Sequence, residues 1–289
     1  MRQKISIIGG AGKMGAWFTK YFANNEENLV FVFDKKRPYV RKLENVTYCN
    51  TLRQCVQNAD YVFIAVSLLD IPSVIRKTAL FMKPGSTLLE ISSIKKNILK
   101  SLKSLPKFII PVSIHPMFGP GAKGLEDSKI LIVPVRGVNR EKRKLKSIMG
   151  DAHILVIKNA RKHDKLMALI LGLVYYSNLV MATVISRESF TKLKKYSGST
   201  FTLQSILFHS ILFDEPSLIA SILMNNDEVG NYLKIFRKET DTFSKLIELG
   251  DRTIFERKVQ KLKHDYNRNN EIALSYKRMY SLIRKTVGD

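Results

Sequence analysis

Cysteine is nearly missing from this chain: Cys49 and Cys55 are the only two in 289 residues. Two thiols build no disulfide framework, and their spacing fits no metal motif, so no metal site is expected. A reducing cytoplasm is the setting this implies. The opening Met1-Arg2-Gln3-Lys4 runs at once into a strand pattern and reads as carrying no signal peptide. Acidic residues are also scarce, 25 Asp+Glu against 48 Lys+Arg, for a net charge of +23. Such an excess attracts anions. The cations are spread along the whole chain, and the densest run, Arg140 to Lys146, reads as the solvated face of one short helix. No basic stripe is interleaved with aromatics, so nucleic acid is not an expected partner; steering of a small anionic substrate is the simpler account. Internal repeats and low-complexity segments are absent.

Glycine and charge thin out in the second half. Gly172 is the only glycine between Gly150 and Gly198, and strand-like runs stop near Asn159. Before that point, apolar runs at Ile5–Ile8, Leu29–Phe33, Tyr61–Val66, Thr87–Ile91, Phe108–Ile114, Ile130–Val133 and His153–Ile157 alternate with helical patterns. Continuous apolar strands separated by helices predict a parallel sheet covered on both faces, the doubly wound α/β class. The expectation is a Rossmann-type dinucleotide-binding domain over 1–157 and an all-helical domain over 158–289. Leu166–Ile185 holds no charged residue in twenty positions, a length that suits a membrane span. Tyr175, Tyr176, Ser177 and Asn178 in its middle favour instead a helix buried in a core or a dimer interface. No membrane is expected as partner; a homodimer is.

Gly10-Ala11-Gly12-Lys13-Met14-Gly15 fits the dinucleotide fingerprint directly after a strand and at the opening of a helix. Gly10 is expected to permit the tight turn, Gly12 to let backbone approach a pyrophosphate, and Gly15 to allow close helix–strand packing. Lys13 and Met14 open the helix whose free N–H groups would face the phosphates. Asp34 ends the second strand, where a carboxylate accepts from ribose hydroxyls and favours NAD. Lys35, Lys36 and Arg37 follow at once and suit the extra phosphate of NADP. Val66 and Ser67, at the end of the Tyr61–Val66 strand, complete the expected cofactor contacts.

His115 follows a strand and precedes Pro116, on a loop at the carboxyl end of the sheet, where such folds place ligands. Imidazole is suited to taking a proton near neutral pH. Ser93 and Lys95 follow another strand end and would reach the same crevice, although Ser92-Ser93 also suits a helix N-cap.

These features together resemble the prephenate dehydrogenase family over the whole chain. The matching strings are the Gly9 to Gly15 turn, Ser93-Ile94-Lys95, His115-Pro116-Met117-Phe118-Gly119-Pro120, Lys162-His163-Asp164, and Asp214 to Ala220. The resemblance implies NAD(P)-dependent oxidative decarboxylation of prephenate or arogenate in tyrosine biosynthesis, with a helical dimerisation domain. It implies that His115 takes the proton of the substrate's ring hydroxyl, that Ser93 hydrogen-bonds to that hydroxyl and to His115, and that Lys95 supports the site electrostatically. His163 is either a substrate ligand or a structural histidine.

One departure stands out. The family grips a substrate carboxylate with an Arg on a helix of the second domain, and no Arg occurs between Arg187 and Arg237. The corresponding place, in the helix expected over Phe201–Phe213, falls near Ser210. His209, next to it, is the first candidate to replace the guanidinium. The alternatives are a paralogue acting on another small carboxylic acid, and a non-catalytic dinucleotide-binding regulator.

Overall fold

The computed structural model describes residues 2–36, 43–267 and 270–287. The chain falls into two compact units, Met1–Met167 and Ala168–Asp289. The strands of the first are β1 (Gln3–Ile8), β2 (Asn28–Phe33), β3 (Val46–Tyr48), β4 (Tyr61–Ile64), β5 (Thr87–Glu90), β6 (Ile110–Pro116), β7 (Lys129–Ile132) and β8 (His153–Val156). Its helices are α1 (Lys13–Ala23), α2 (Leu52–Val56), α3 (Ile71–Ala79), α4 (Ile98–Lys103), α5 (Val138–Met149) and α6 (Ala160–Met167).

All eight strands form one sheet in the order β3-β2-β1-β4-β5-β6-β7-β8. Its central strands β4, β5 and β6 are buried on both faces, which is why they read as unbroken apolar runs. On one face Ile5, Ile7, Phe63, Val112 and Ile114 pack with Phe18, Phe22, Leu145 and Met149. On the other, Ile8, Val62, Ile64 and Leu88 pack with Ile71, Ile75 and Leu102. The strand order reverses between β1 and β4, the switch point at which doubly wound sheets open a ligand crevice.

Three details differ from expectation. The sheet is not wholly parallel: β7 runs antiparallel to β6, and β8 parallel to β7. The connection from β6 to β7 contains no helix, and a parallel return normally needs a crossover element. β3 is only three residues long, too short to show a period. The first unit ends at Met167 rather than 157, because α6 is tied to the segment after β5: the Lys95 and Lys96 amides both donate to the Asp164 carboxylate at 2.9 Å.

The second unit begins with a π-helical stretch, Ala168–Leu173, and continues as α7 (Val174–Ile185), α8 (Phe190–Tyr196), α9 (Ser199–Leu212), α10 (Pro216–Met224), α11 (Asp227–Glu248), α12 (Arg252–Tyr266) and α13 (Glu271–Val287). A Cβ at Gly172 would lie 2.7 Å from Val229 Cγ2, so glycine there lets α11 pack close to the π-helical backbone. The polar residues of the uncharged segment are used internally. Tyr175 Oη donates to Asp214 at 2.7 Å, and Gln204 Nε2 donates to Asn178 Oδ1 at 2.6 Å. By length and composition the helical run Ala160–Ile185 could cross a membrane, yet only 17% of its most apolar stretch is buried within the chain. Val180, Met181 and Val184 lie exposed.

Candidate active site

The glycine turn after β1 is shaped by contacts that no side chain would fit. Gly9 has φ +92°, and a Cβ there would lie 2.3 Å from the Ala65 carbonyl oxygen. The conformational demand therefore falls on Gly9, not on Gly10. Gly10 is needed for a different reason: its Cβ would meet Val32 Cγ1 at 2.1 Å. At Gly15 a Cβ would lie 2.0 Å from the Gly9 carbonyl oxygen, so glycine there lets α1 start close against the turn. Gly12 is the N-cap of α1 and provides no side-chain cap, so the first-turn amides, including those of Lys13 and Met14, carry the helix's partial positive charge toward an anion. Asp34 curls back over this turn, accepting from the Ala11 amide and the Lys36 amide, both at 2.9 Å. Lys35 and Lys36 follow it, whereas Arg37 lies outside the described residues. Val66 and Ser67 follow β4 beside Gly9, and the Ser67 hydroxyl donates to Asp70 at 2.6 Å. These features fit a dinucleotide: a cradle closed to a Cβ at Gly9, Gly10 and Gly15, an uncapped helix start and a carboxylate at the end of β2.

β1, β4, β5 and β6 are mutually parallel, and Ile8, Ile64, Glu90 and Ser113 form one row across them. His115 lies two residues beyond that row, still within β6 rather than on the following loop. It therefore shares the carboxyl edge of the sheet with the glycine turn. Three strand spacings of about 4.8 Å separate β1 from β6, about 14 Å in all. That span suits an extended dinucleotide better than a lone phosphate.

His115 is 5% exposed. Its Nδ1 lies 3.1 Å from His163 Nε2, and His163 Nδ1 lies 2.8 Å from Asp164 Oδ1. Both ring nitrogens of His163 are thus used inside the protein, so it is not placed as a substrate ligand. Lys95 is fully buried; its ammonium donates to Glu90 Oε1 at 2.7 Å and to the Ile114 carbonyl at 2.6 Å. Lys95 cannot touch a substrate and acts on His115 only through its charge. Ser113 donates to the same Glu90 oxygen, and the Ser92 amide donates to Oε2 at 2.9 Å. Ser93 is half-buried in the turn after β5, and among the described residues His115 Nδ1 is bonded to His163 rather than to the Ser93 hydroxyl.

Burial, reinforced by the Lys95 charge and by His163, holds the His115 imidazole well below the ordinary histidine range. Burial also lowers His163, against the pull of Asp164. Lys95 is lowered by burial and held up in part by Glu90. The pair of imidazoles is therefore kept neutral. Glu90 and Asp164 are the residues to which sequence reasoning gave no role. Glu90 had a signal: a carboxylate closing an apolar strand needs a charged partner, and Lys95 stands five residues on.

His209 and Ser210 lie side by side on α9. The His209 ring packs on Phe190 and Phe208, with centroids at 4.8 and 4.6 Å. The Ser210 hydroxyl donates to the Leu207 carbonyl at 2.7 Å.

Two family descriptions match this chain: the prephenate dehydrogenase nucleotide-binding domain over residues 28–132, and the prephenate dehydrogenase dimerization domain over residues 159–261. The chain belongs to the prephenate dehydrogenase family. A probable arogenate/prephenate dehydrogenase from Methanocaldococcus jannaschii is 25% identical over 262 residues, 87% of this chain. The chain spans 58% of that relative's length. Prephenate dehydrogenase of Aquifex aeolicus, solved with hydroxyphenyl propionate and NAD+, superposes with a TM-score of 0.73 at 17% identity, covering 92% of this chain and 97% of that one. Synechocystis arogenate dehydrogenase superposes at 0.67 and 17%, covering 92% and 99%. The likeness confirms a Rossmann-like sheet unit followed by a helical unit.

Proposed function

We propose that the chain is a cytoplasmic NAD(P)-dependent dehydrogenase that converts prephenate to 4-hydroxyphenylpyruvate, a step of tyrosine biosynthesis. The observation that carries this reading is His115, a buried neutral imidazole at the same sheet edge as the glycine cradle. Gly9, Gly10, Gly12 and Gly15, the amides of Lys13 and Met14, Asp34, Val66 and Ser67 would hold the dinucleotide, with Asp34 favouring NAD over NADP. A nicotinamide bound there supplies the hydride acceptor.

His115 takes the proton of the ring hydroxyl as the carbon bearing it is oxidised. The ring carboxylate then leaves as CO2, and its electrons complete the aromatic ring. Ser93 donates to the same hydroxyl oxygen. Burial and the Lys95 charge keep the base neutral in the free enzyme, and Glu90 holds Lys95 in place. His209, with Ser210 beside it, is the carboxylate ligand in place of the Arg that α9 lacks. Arogenate, with an amino group for the side-chain carbonyl, undergoes the same ring chemistry; the Methanocaldococcus relative carries both names. Exposed Val180, Met181 and Val184 form a surface too apolar for water, and the dimerization-domain match points to a homodimer that covers it.

The test is formation of reduced nicotinamide from NAD and from NADP with purified prephenate, then with arogenate. Turnover of either substrate supports the reading. Failure with both, under conditions where NAD binds, overturns it.

A further inference from the structure

We propose that His163 and Asp164 are positioning residues that hold the proton of neutral His115 on Nδ1, leaving Nε2 as the atom that accepts the substrate's proton. The inference rests on the reading of His115 as the base and assigns that base its working atom.

The argument runs inward from the carboxylate. Asp164 is supplied with donors by the Lys95 and Lys96 amides at 2.9 Å each, so it stands as an acceptor. An ionised carboxylate only accepts, so His163 Nδ1, 2.8 Å from Oδ1, carries a hydrogen. In a neutral imidazole the other nitrogen is then a bare acceptor. That nitrogen, His163 Nε2, faces His115 Nδ1 at 3.1 Å, so His115 Nδ1 is the donor. A neutral His115 has one ring hydrogen, now placed, and its Nε2 lone pair is left open.

The opposite polarity fails on the same contacts. It would set a bare His163 Nδ1 against a carboxylate oxygen at 2.8 Å. Doubly protonated His163 would put a second cation beside the buried Lys95 ammonium, and burial opposes it. The charged groups facing the pair are Lys95 and Glu90 from the β5 side and Asp164 from α6. When a proton arrives at Nε2, Nδ1–H still points at His163, and the Asp164 carboxylate at the far end offsets the new charge. The polarity of one carboxylate is thus read out two residues away, the logic by which a buried acid orients a catalytic histidine elsewhere.

Two variants separate polarity from volume. His163→Gln keeps a donor for Asp164 and an acceptor for His115; His163→Phe keeps the ring volume and neither function. Nitrogen-15 spectra of the histidine side chains in the full-length protein report the tautomer directly and need no substrate. The wild-type protein and the Gln variant should show His115 with a bare Nε2, and the Phe variant should show a mixture containing Nε2–H. With prephenate and NAD, the Phe variant should lose about 10²-fold or more in kcat/KM, with a displaced acid limb, and Gln should recover most of it. A wild-type His115 protonated on Nε2, or a Phe variant with an unchanged His115 tautomer, overturns the proposal. If prephenate is not a substrate, the spectra alone decide. If the Phe variant does not fold, the wild-type and Gln spectra decide.

Discussion

Lys95 reaches back five residues to pair with Glu90 at 2.7 Å, with neither side chain exposed to solvent. Removing one member of such a pair strands a buried charge. Lys95→Met should therefore destabilise the protein by about 3–5 kcal/mol, read as a lower urea midpoint. Glu90→Gln added to Lys95→Met should recover much of that loss. A single variant with unchanged stability would show that the two charges are screened by water.

His115→Asn should lower turnover by about 10²–10⁴-fold while leaving NAD affinity intact. The pH profile follows from the direction of the shift. The base works unprotonated, and burial with the Lys95 charge lowers its pKa. The acid limb of kcat/KM should then lie below about 6.5, the reference histidine value, with a plateau above it. Activity falls only as pH drops through the depressed value. A limb at or above the reference value would contradict the buried neutral imidazole.

Asp34→Ala should weaken NAD binding and narrow the discrimination against NADP, measured as the ratio of the two Kd values. A wild-type protein that already prefers NADP would transfer control of the pocket to Lys35, Lys36 or Arg37.

His209→Gln should raise KM for prephenate more than it lowers kcat, because it removes ground-state and transition-state binding alike. An unchanged KM would reduce His209 to packing against Phe190 and Phe208.

Light scattering in detergent-free buffer should give about twice the chain mass of 33.0 kDa, since an uncharged helical face of this size associates in water. A stable monomer would leave Val180, Met181 and Val184 without cover.

The sheet unit was legible because burial on both faces writes unbroken apolar runs in its central strands, and the glycine turn was legible because Gly9, Gly10 and Gly15 admit no Cβ. β3 was not, being too short, and the reversal at β7 depends on a missing crossover helix rather than on any residue pattern. His115 and Lys95 were found by position and motif. The roles of their partners were hidden: Glu90 lay within an apolar strand run, and Asp164 stood in a family-matching string with no role attached to it. The sequence pattern marks which residues are unusual, whereas hydrogen-bond polarity emerges only when distant segments meet.

β6 changes partners just before its histidine. Through Ser113 it is bonded to β5, and from Ile114 to Pro116 it is paired with β7. The Met117 amide then closes on the Lys129 carbonyl at 2.8 Å, and the Trp17 indole fastens the following loop through the Ala122 carbonyl at 2.7 Å. The imidazole thus hangs from backbone clamped on both sides and beyond. Little orientational freedom remains to be lost when a reactant arrives, so that part of the entropic barrier is met during folding rather than at each turnover.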